Sequence, residues 1–214
     1  MIVAAASSLR PSLSPGLVRW GQSHGIEIQL VYGASGSLVQ QLRRGAPFAV
    51  FVSASPAYLE PLRTGGRLCG APLTLGEGRL ALYLPNGSPV PLQADLTGLD
   101  RVRRLALANP RIAPFGALAR QALRRAGLWP RLQARVVLGE SAAQAGRFAL
   151  SGAVDAALLP ERLVRQPPFS RRGRWVAVMP TLYTPTPIQA VRLCPSPQAA
   201  EAVLQALPAL FGER

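Results

Sequence analysis

Short apolar runs rich in Val, Ile, Leu and Ala alternate along this chain with amphipathic stretches of about ten residues, and that alternation restricts the fold more than any other feature. Each short run can pair in a sheet, and each amphipathic stretch can return the chain across it, which is the pattern of parallel strand-helix units. The fold class is therefore α/β. The spacing predicts strands over 2–6, 26–32, 49–53, 79–84, 104–108, 135–138, 156–159, 175–179 and 188–193. It predicts helices over 13–23, 37–44, 56–63, 116–127, 142–150 and 197–210. In the last of these, Ala200, Val203, Leu204 and Leu207 share one face, as docking on a sheet requires.

Nine strands over 214 residues, with 49% hydrophobic and 16% charged composition, are enough for a substantial core. Two stretches dense in Pro and Gly, 85–91 and 180–187, divide the chain. The expected organisation is a first lobe from 1–80, a second from 81–182, and a return to the first over 183–214. The segment 165–174, with its paired prolines and several arginines, reads as an exposed loop.

Composition removes several chemistries. All 24 basic residues are arginine. Without lysine the chain cannot carry a phosphate loop ending in Gly-Lys-Ser/Thr, a Schiff base or a pyridoxal anchor. One histidine, His24, and two cysteines, Cys69 and Cys194, fall short of the four ligands of a structural zinc site. No cofactor is expected. His24 reads as a solvated helix-end residue, and Trp20, Trp129 and Trp175 as packing residues. The cysteines form a disulfide if the chain is exported, or remain free buried thiols; the residues leave both open. No apolar run approaches the ~20 residues that span a bilayer, so the chain is not expected to be membrane-embedded. Without a charged and then apolar leader ahead of the first strand, it either stays inside the cell or is shown without that leader.

The net charge of +14 is uneven, because 81–182 holds 15 arginines against 5 acidic residues. Aromatics amount to 6% and do not interleave with the arginines as a base-stacking surface would need, so no nucleic-acid partner is expected. Carboxylates form no pair at a spacing that suits general acid-base catalysis.

Four strand-to-helix turns share small residues, glycine and hydroxyls: Ala6-Ser7-Ser8-Leu9, Gly33-Ala34-Ser35-Gly36-Ser37, Ala113-Pro114-Phe115-Gly116 and Gly139-Glu140-Ser141-Ala142. In open α/β sheets, ligands bind beyond the carboxyl ends of strands, where such turns gather. First-turn N–H groups lack intrahelical partners and carry partial positive charge, so an anion is the natural guest. Small side chains let it approach the backbone. Each turn alone is also an ordinary helix cap. Ser35 sits in a sequence like the nucleophile elbow Gly-x-Ser-x-Gly, but the fifth position is serine and the only histidine precedes it, which argues against a serine hydrolase. The chain is not expected to be an enzyme.

These stretches resemble, in order and over nearly the whole chain, the periplasmic molybdate-binding proteins of bacterial ABC importers. The resemblance rests on Ala4-Ala5-Ala6-Ser7-Ser8-Leu9, Tyr32-Gly33-Ala34-Ser35-Gly36-Ser37-Leu38, and the run from Gly45 to Ala54. It continues through Asn109-Pro110, Ala113-Pro114-Phe115-Gly116, Ala126-Gly127-Leu128-Trp129, Gly139-Glu140-Ser141-Ala142-Ala143-Gln144, and Tyr183 to Val191. It implies a two-lobed periplasmic-binding fold, each lobe a mostly parallel sheet flanked by helices, with a hinge near 80–85 and 180–184. The lobes would close on a dehydrated tetrahedral oxyanion, molybdate or tungstate. Ser7 and Ser35 would donate through side chain and backbone, Ser8 would stand where one branch has a polar amide, and Phe115 and Ala142 would donate through backbone N–H. These are contacts to oxyanion oxygens, not direct metal ligands. The sequence departs from the family at Ala49, where an acidic residue is usual, and at Leu159, where another branch has a tyrosine donor.

The resemblance implies a monomeric, periplasmic or otherwise extracytoplasmic solute-binding protein that delivers its anion to an ABC permease with its ATPase. The alternative is a cytoplasmic effector-sensing or regulatory domain of the same fold that touches nucleic acid through its basic lobe.

Overall fold

The computed structural model describes residues 1–212, which fall into two compact units: 1–77 with 186–212, and 78–185. The chain begins in the first unit with β1 (Ile2–Ala6), α1 (Arg10–Ser23), β2 (Gln29–Gly33), α2 (Ser35–Arg43), β3 (Phe48–Ser53), α3 (Glu60–Thr64) and β4 (Leu68–Gly78). The second unit holds β5 (Leu80–Pro85), β6 (Leu105–Ala108), α4 (Pro114–Arg125), α5 (Trp129–Leu132), β7 (Val136–Gly139), α6 (Ala142–Leu150), β8 (Ala156–Pro160), α7 (Glu161–Val164), α8 (Phe169–Arg172) and β9 (Gly173–Ala177). The chain then returns to the first unit through β10 (Thr186–Leu193) and α9 (Ala199–Gly212).

Each unit is built on a five-stranded mixed sheet, in the orders β2-β1-β3-β10-β4 and β7-β6-β8-β5-β9. In the first, β1 runs parallel to β2 and β3, and β10 pairs antiparallel with β3. In the second, β6 runs parallel to β7 and β8, while β5 pairs antiparallel with both β8 and β9. Central strands read as nearly continuous apolar runs because both faces are covered: β3 is buried throughout, as is β8. One core gathers Leu38, Leu42, Phe51, Leu62 and Val191, and the other Tyr83, Ala106, Ala145, Leu159 and Phe169.

The structure corrects two local expectations. The sequence pattern gave no strand between 63 and 79, yet β4 runs for 11 residues there. Its glycines and Pro72 hide the alternation, and an edge strand tolerates them because one side of its backbone needs no partner. The segment 165–174 is not an open loop. It contains α8 and the start of β9, and Phe169 is buried with its ring edge-on to Tyr83 at 5.3 Å between centroids. One apolar residue anchors the stretch, and its arginines stay exposed.

Cys69 and Cys194 are joined in a disulfide with Cα atoms 5.5 Å apart, an ordinary separation for such a bridge. It closes a span of 125 residues that includes the whole second unit. His24 lies exposed at the C-terminal cap of α1 with Nδ1 2.8 Å from the carbonyl of Trp20, whose ring it stacks on. No helix among the described residues is long and apolar enough to cross a membrane.

Candidate functional site

In the first unit, the register that pairs Ala6 with Gly33 sets the carboxyl ends of β1 and β2 side by side. The chain leaves β1 through a 3-10 turn, Ser7–Leu9, and leaves β2 through Ala34 into α2. Ser7, Ser8 and Ser35 are thereby placed on adjacent turns. Their residues are 8%, 2% and 0% exposed, so little of their surface meets bulk water. Neither the Ser7 nor the Ser8 hydroxyl has a hydrogen-bond partner among the described residues. Ser35 Oγ accepts the N–H of Ala54 at 3.4 Å, which occupies a lone pair and leaves its proton to donate.

The helix starts are built to leave donors open. The residues capping the Ser7 turn, α2 and α4 are Ala6, Ala34 and Ala113, none with a side chain able to accept a first-turn N–H. In α2 the backbone N–H of Leu38 returns to Ala34, whereas those of Ser35 and Gly36 have no partner among the described residues. Beside this turn, exposed Arg10 lies with its guanidinium carbon 4.3 Å from the centroid of the Tyr32 ring, and the Tyr32 hydroxyl meets Ser14 Oγ at 2.7 Å. Burial raises the Tyr32 pKa, partly offset by the Ser14 bond and the Arg10 charge, so the phenol stays neutral at physiological pH.

The second unit repeats the arrangement. Ala108 pairs with Gly139, and Asn109 N–H donates to the Gly139 carbonyl at 2.7 Å, so the ends of β6 and β7 adjoin. Pro114 opens α4 without an N–H of its own, which leaves Phe115 N–H as the first donor of that helix. It has no partner among the described residues, and Phe115 is 3% exposed. A Cβ on Gly116 would come within 2.1 Å of the Ala108 carbonyl oxygen, and one on Gly139 within 2.6 Å of Ala145 N, so only glycine lets these helices start so close to the strand ends.

At α6 the division of labour differs. Ser141 Oγ accepts Gln144 N–H at 3.3 Å as an ordinary cap, and Gln144 Oε1 accepts Glu140 N–H at 2.6 Å. The Ala142 N–H stays unpartnered among the described residues, in a residue 5% exposed. Leu159, at the position of the tyrosine seen in one branch of the resembled family, is wholly buried opposite Ala81 and packs in the apolar core. Ala49 is also buried, at a register shift between β1 and β3 where a carboxylate would have been costly to desolvate. The link between Ala54 and Ser35 joins residues 19 apart in sequence and had no sequence signal. Among the described residues, no three His, Cys, Asp or Glu side chains gather to hold a metal ion. What each unit offers is neutral hydrogen-bond donors at paired strand ends.

Two α/β units within one chain, with the second inserted into the first and donor-rich turns at strand ends, have the architecture of a solute-binding protein. The chain belongs to the family of bacterial extracellular solute-binding proteins, which matches residues 1–207. It is 30% identical over 151 residues to the molybdate-binding protein ModA of Azotobacter vinelandii, an alignment covering 70% of this chain and 60% of that protein. To ModA of Rhodobacter capsulatus it is 29% identical over 149 residues, covering 69% and 58%. The matched stretches thus span about three-fifths of these relatives' length. Its structure is similar to that of the Azotobacter vinelandii periplasmic molybdate-binding protein, with a TM-score of 0.88, 26% identity, and coverage of 99% of this chain and 97% of that one.

Proposed function

We propose that the protein is an extracytoplasmic solute-binding protein that captures a tetrahedral oxyanion, molybdate or tungstate, and hands it to an ABC permease and its ATPase. The observation that carries the reading is the set of donors left open at strand ends, on residues that are almost wholly buried: the hydroxyls of Ser7, Ser8 and Ser35 in one unit, and the N–H groups of Phe115 and Ala142 in the other. The relatives named for molybdate binding support the ligand class. Family membership and the disulfide, which persists in oxidising compartments, support the location and weigh against a cytoplasmic regulator.

The mechanism follows from the donor chemistry. A fully ionised oxyanion presents only acceptors, so neutral donors of the kind found at these turns satisfy it without a protein charge. As water is excluded the dipolar interactions strengthen. Phosphate carrying a proton near neutral pH brings a donor into an all-donor site and leaves it unpaired. Sulfate matches charge and acceptors but has shorter bonds, so cavity size discriminates against it. With neutral donors and no acid-base pair at the turns, the site is suited to capture rather than to catalysis.

A thermal-shift panel of molybdate, tungstate, sulfate, phosphate and nitrate tests the proposal. Ligand at about 100 times its Kd stabilises by about 2.7 kcal/mol through mass action. Micromolar molybdate or tungstate should raise Tm, and sulfate should do so only at far higher concentration. No shift with either metal oxyanion overturns the reading.

A further inference from the structure

The donor turns hold no arginine, so the arginines of the second unit, 16 against 5 acidic residues, remain to be explained. Strand directions locate many of them. In the second sheet β7, β6 and β8 run one way, and β5 runs the other, with β9 antiparallel to β5. The starts of β6, β7, β8 and β9 and the end of β5 therefore share one end of the sheet. The turns with Phe115 and Ala142 follow the opposite ends of β6 and β7.

Along that shared end stand Arg101, Arg103 and Arg104 before β6, Arg135 before β7, and Arg171, Arg172 and Arg174 about the start of β9, all exposed. Among the described residues, only the acidic Asp100 and Asp155 accompany them. The Asp155 carboxylate is already occupied by the backbone N–H groups of Arg103 and Arg104 and by the Arg103 guanidinium. Glu140 and Glu161 follow the far ends of β7 and β8, and Asp95 adjoins Ala94, whose carbonyl takes the N–H of Met179 beyond the far end of β9. Five strands at ~4.8 Å spacing make the row about 19 Å wide, far broader than one small anion.

We infer that this arginine-lined end of the second unit docks on an anionic lipid surface. Guanidinium groups pair with phosphate oxygens in a bidentate fork, and a row of them matches a plane of phospholipid headgroups. Exposed large hydrophobic side chains among the described residues are Val18, Leu138 and Met179, none at this end, so the contact is electrostatic and peripheral rather than inserted. The aromatic neighbours do not form a stacking platform for bases: Phe169 is buried, and the half-buried ring of Trp175 lies under Arg165, 5.0 Å away. A membrane leaflet is also the extended polyanion that a member of an extracellular family encounters.

Co-sedimentation with phosphatidylglycerol-phosphatidylcholine vesicles tests the inference. The protein should pellet with mixed vesicles at low salt, fail to pellet with phosphatidylcholine alone, and be released as salt rises. The triple variant R171Q/R172Q/R174Q should bind at least about tenfold more weakly, since each arginine near such a surface contributes on the order of fivefold. Those side chains have no hydrogen-bond partner among the described residues, so the variant should melt like the parent. The variant R19Q/R43Q/R44Q removes equal charge from exposed positions of the first unit and should lose far less. Absence of pelleting by the parent, equal loss in both variants, or displacement by duplex DNA or an acidic polypeptide at concentrations that leave the vesicles unsaturated overturns it. Vesicle binding requires no oxyanion, so its failure and a failed thermal shift remain distinguishable.

Discussion

Among individual residues, Ser35 carries the sharpest expectation. Its Oγ takes the Ala54 N–H, so the hydroxyl is oriented before any ligand arrives, and the residue has no solvent exposure. A preset donor to an anion is worth more than an ordinary hydrogen bond, about 1.5–3 kcal/mol. Ser35→Ala removes that donor together with the acceptor of the buried Ala54 N–H, so molybdate affinity should fall about 10- to 100-fold and stability by about 1–3 kcal/mol. Titration calorimetry giving equal affinities for variant and parent would show that the anion sits elsewhere. The hydroxyl and the glycine-rich turn were legible in the sequence, because turn chemistry is local. The Ala54 contact that orients the hydroxyl was not, because β3 reaches Ser35 only through the sheet.

Among the elements, the parallel pair β6 and β8 depends on one side chain at its start. Asp155 Oδ2 accepts Arg103 N–H at 2.8 Å and Arg104 N–H at 3.0 Å, and the Asp155 N–H returns to the Arg104 carbonyl at 3.0 Å. Burial alone would raise its carboxyl pKa, but the N–H groups of Arg104 and Arg103, with the Arg103 guanidinium, outweigh it and hold the pKa below the usual carboxylate value. A folded-state pKa below the unfolded value gives stability that is fully present above pH ~4 and lost as pH falls through the folded pKa. Asp155→Asn should cost about 1–3 kcal/mol at neutral pH and flatten the acid side of the stability curve. Urea melts of both proteins from pH 3 to pH 7 check this (about the window set by the carboxylate reference pKa), and an unchanged acid limb in the variant refutes it. Most elements followed from period and composition. The one-turn helices α5 and α7 had no expectation, and at β4 and α8 an edge position or a single buried phenylalanine outweighs a run of Gly, Pro and Arg.

For the molecule as a whole, the Cys69–Cys194 bridge links the strand by which the chain leaves the first unit to the end of the strand by which it returns. Closing 125 residues restricts the unfolded chain strongly, and removal of such a bridge costs about 2–5 kcal/mol. Reduction, or the paired change Cys69→Ser and Cys194→Ser, should lower Tm by several degrees in calorimetry while leaving the β1-β2 and β6-β7 turns able to bind the oxyanion. A reduced protein with unchanged Tm would mean that pairing of β4 and β10 alone fixes the crossing. The charge distribution belongs here too. The excess arginine is plain in the composition, but its concentration at one end of the second sheet follows from strand directions that composition does not contain.

Hydrophobic period and turn chemistry, both short-range, were sufficient for the α/β class, for most strands and helices, and for the small, hydroxyl-rich turns of the proposed anion site. They say nothing of which turns become neighbours. The pairing of Ala6 with Gly33 and of Ala108 with Gly139, the disulfide, and the burial of Leu159 each join residues far apart in sequence. Strand order and register are set by the total burial of both sheets rather than by any local preference, because a slip of one residue would turn every core side chain to the wrong face.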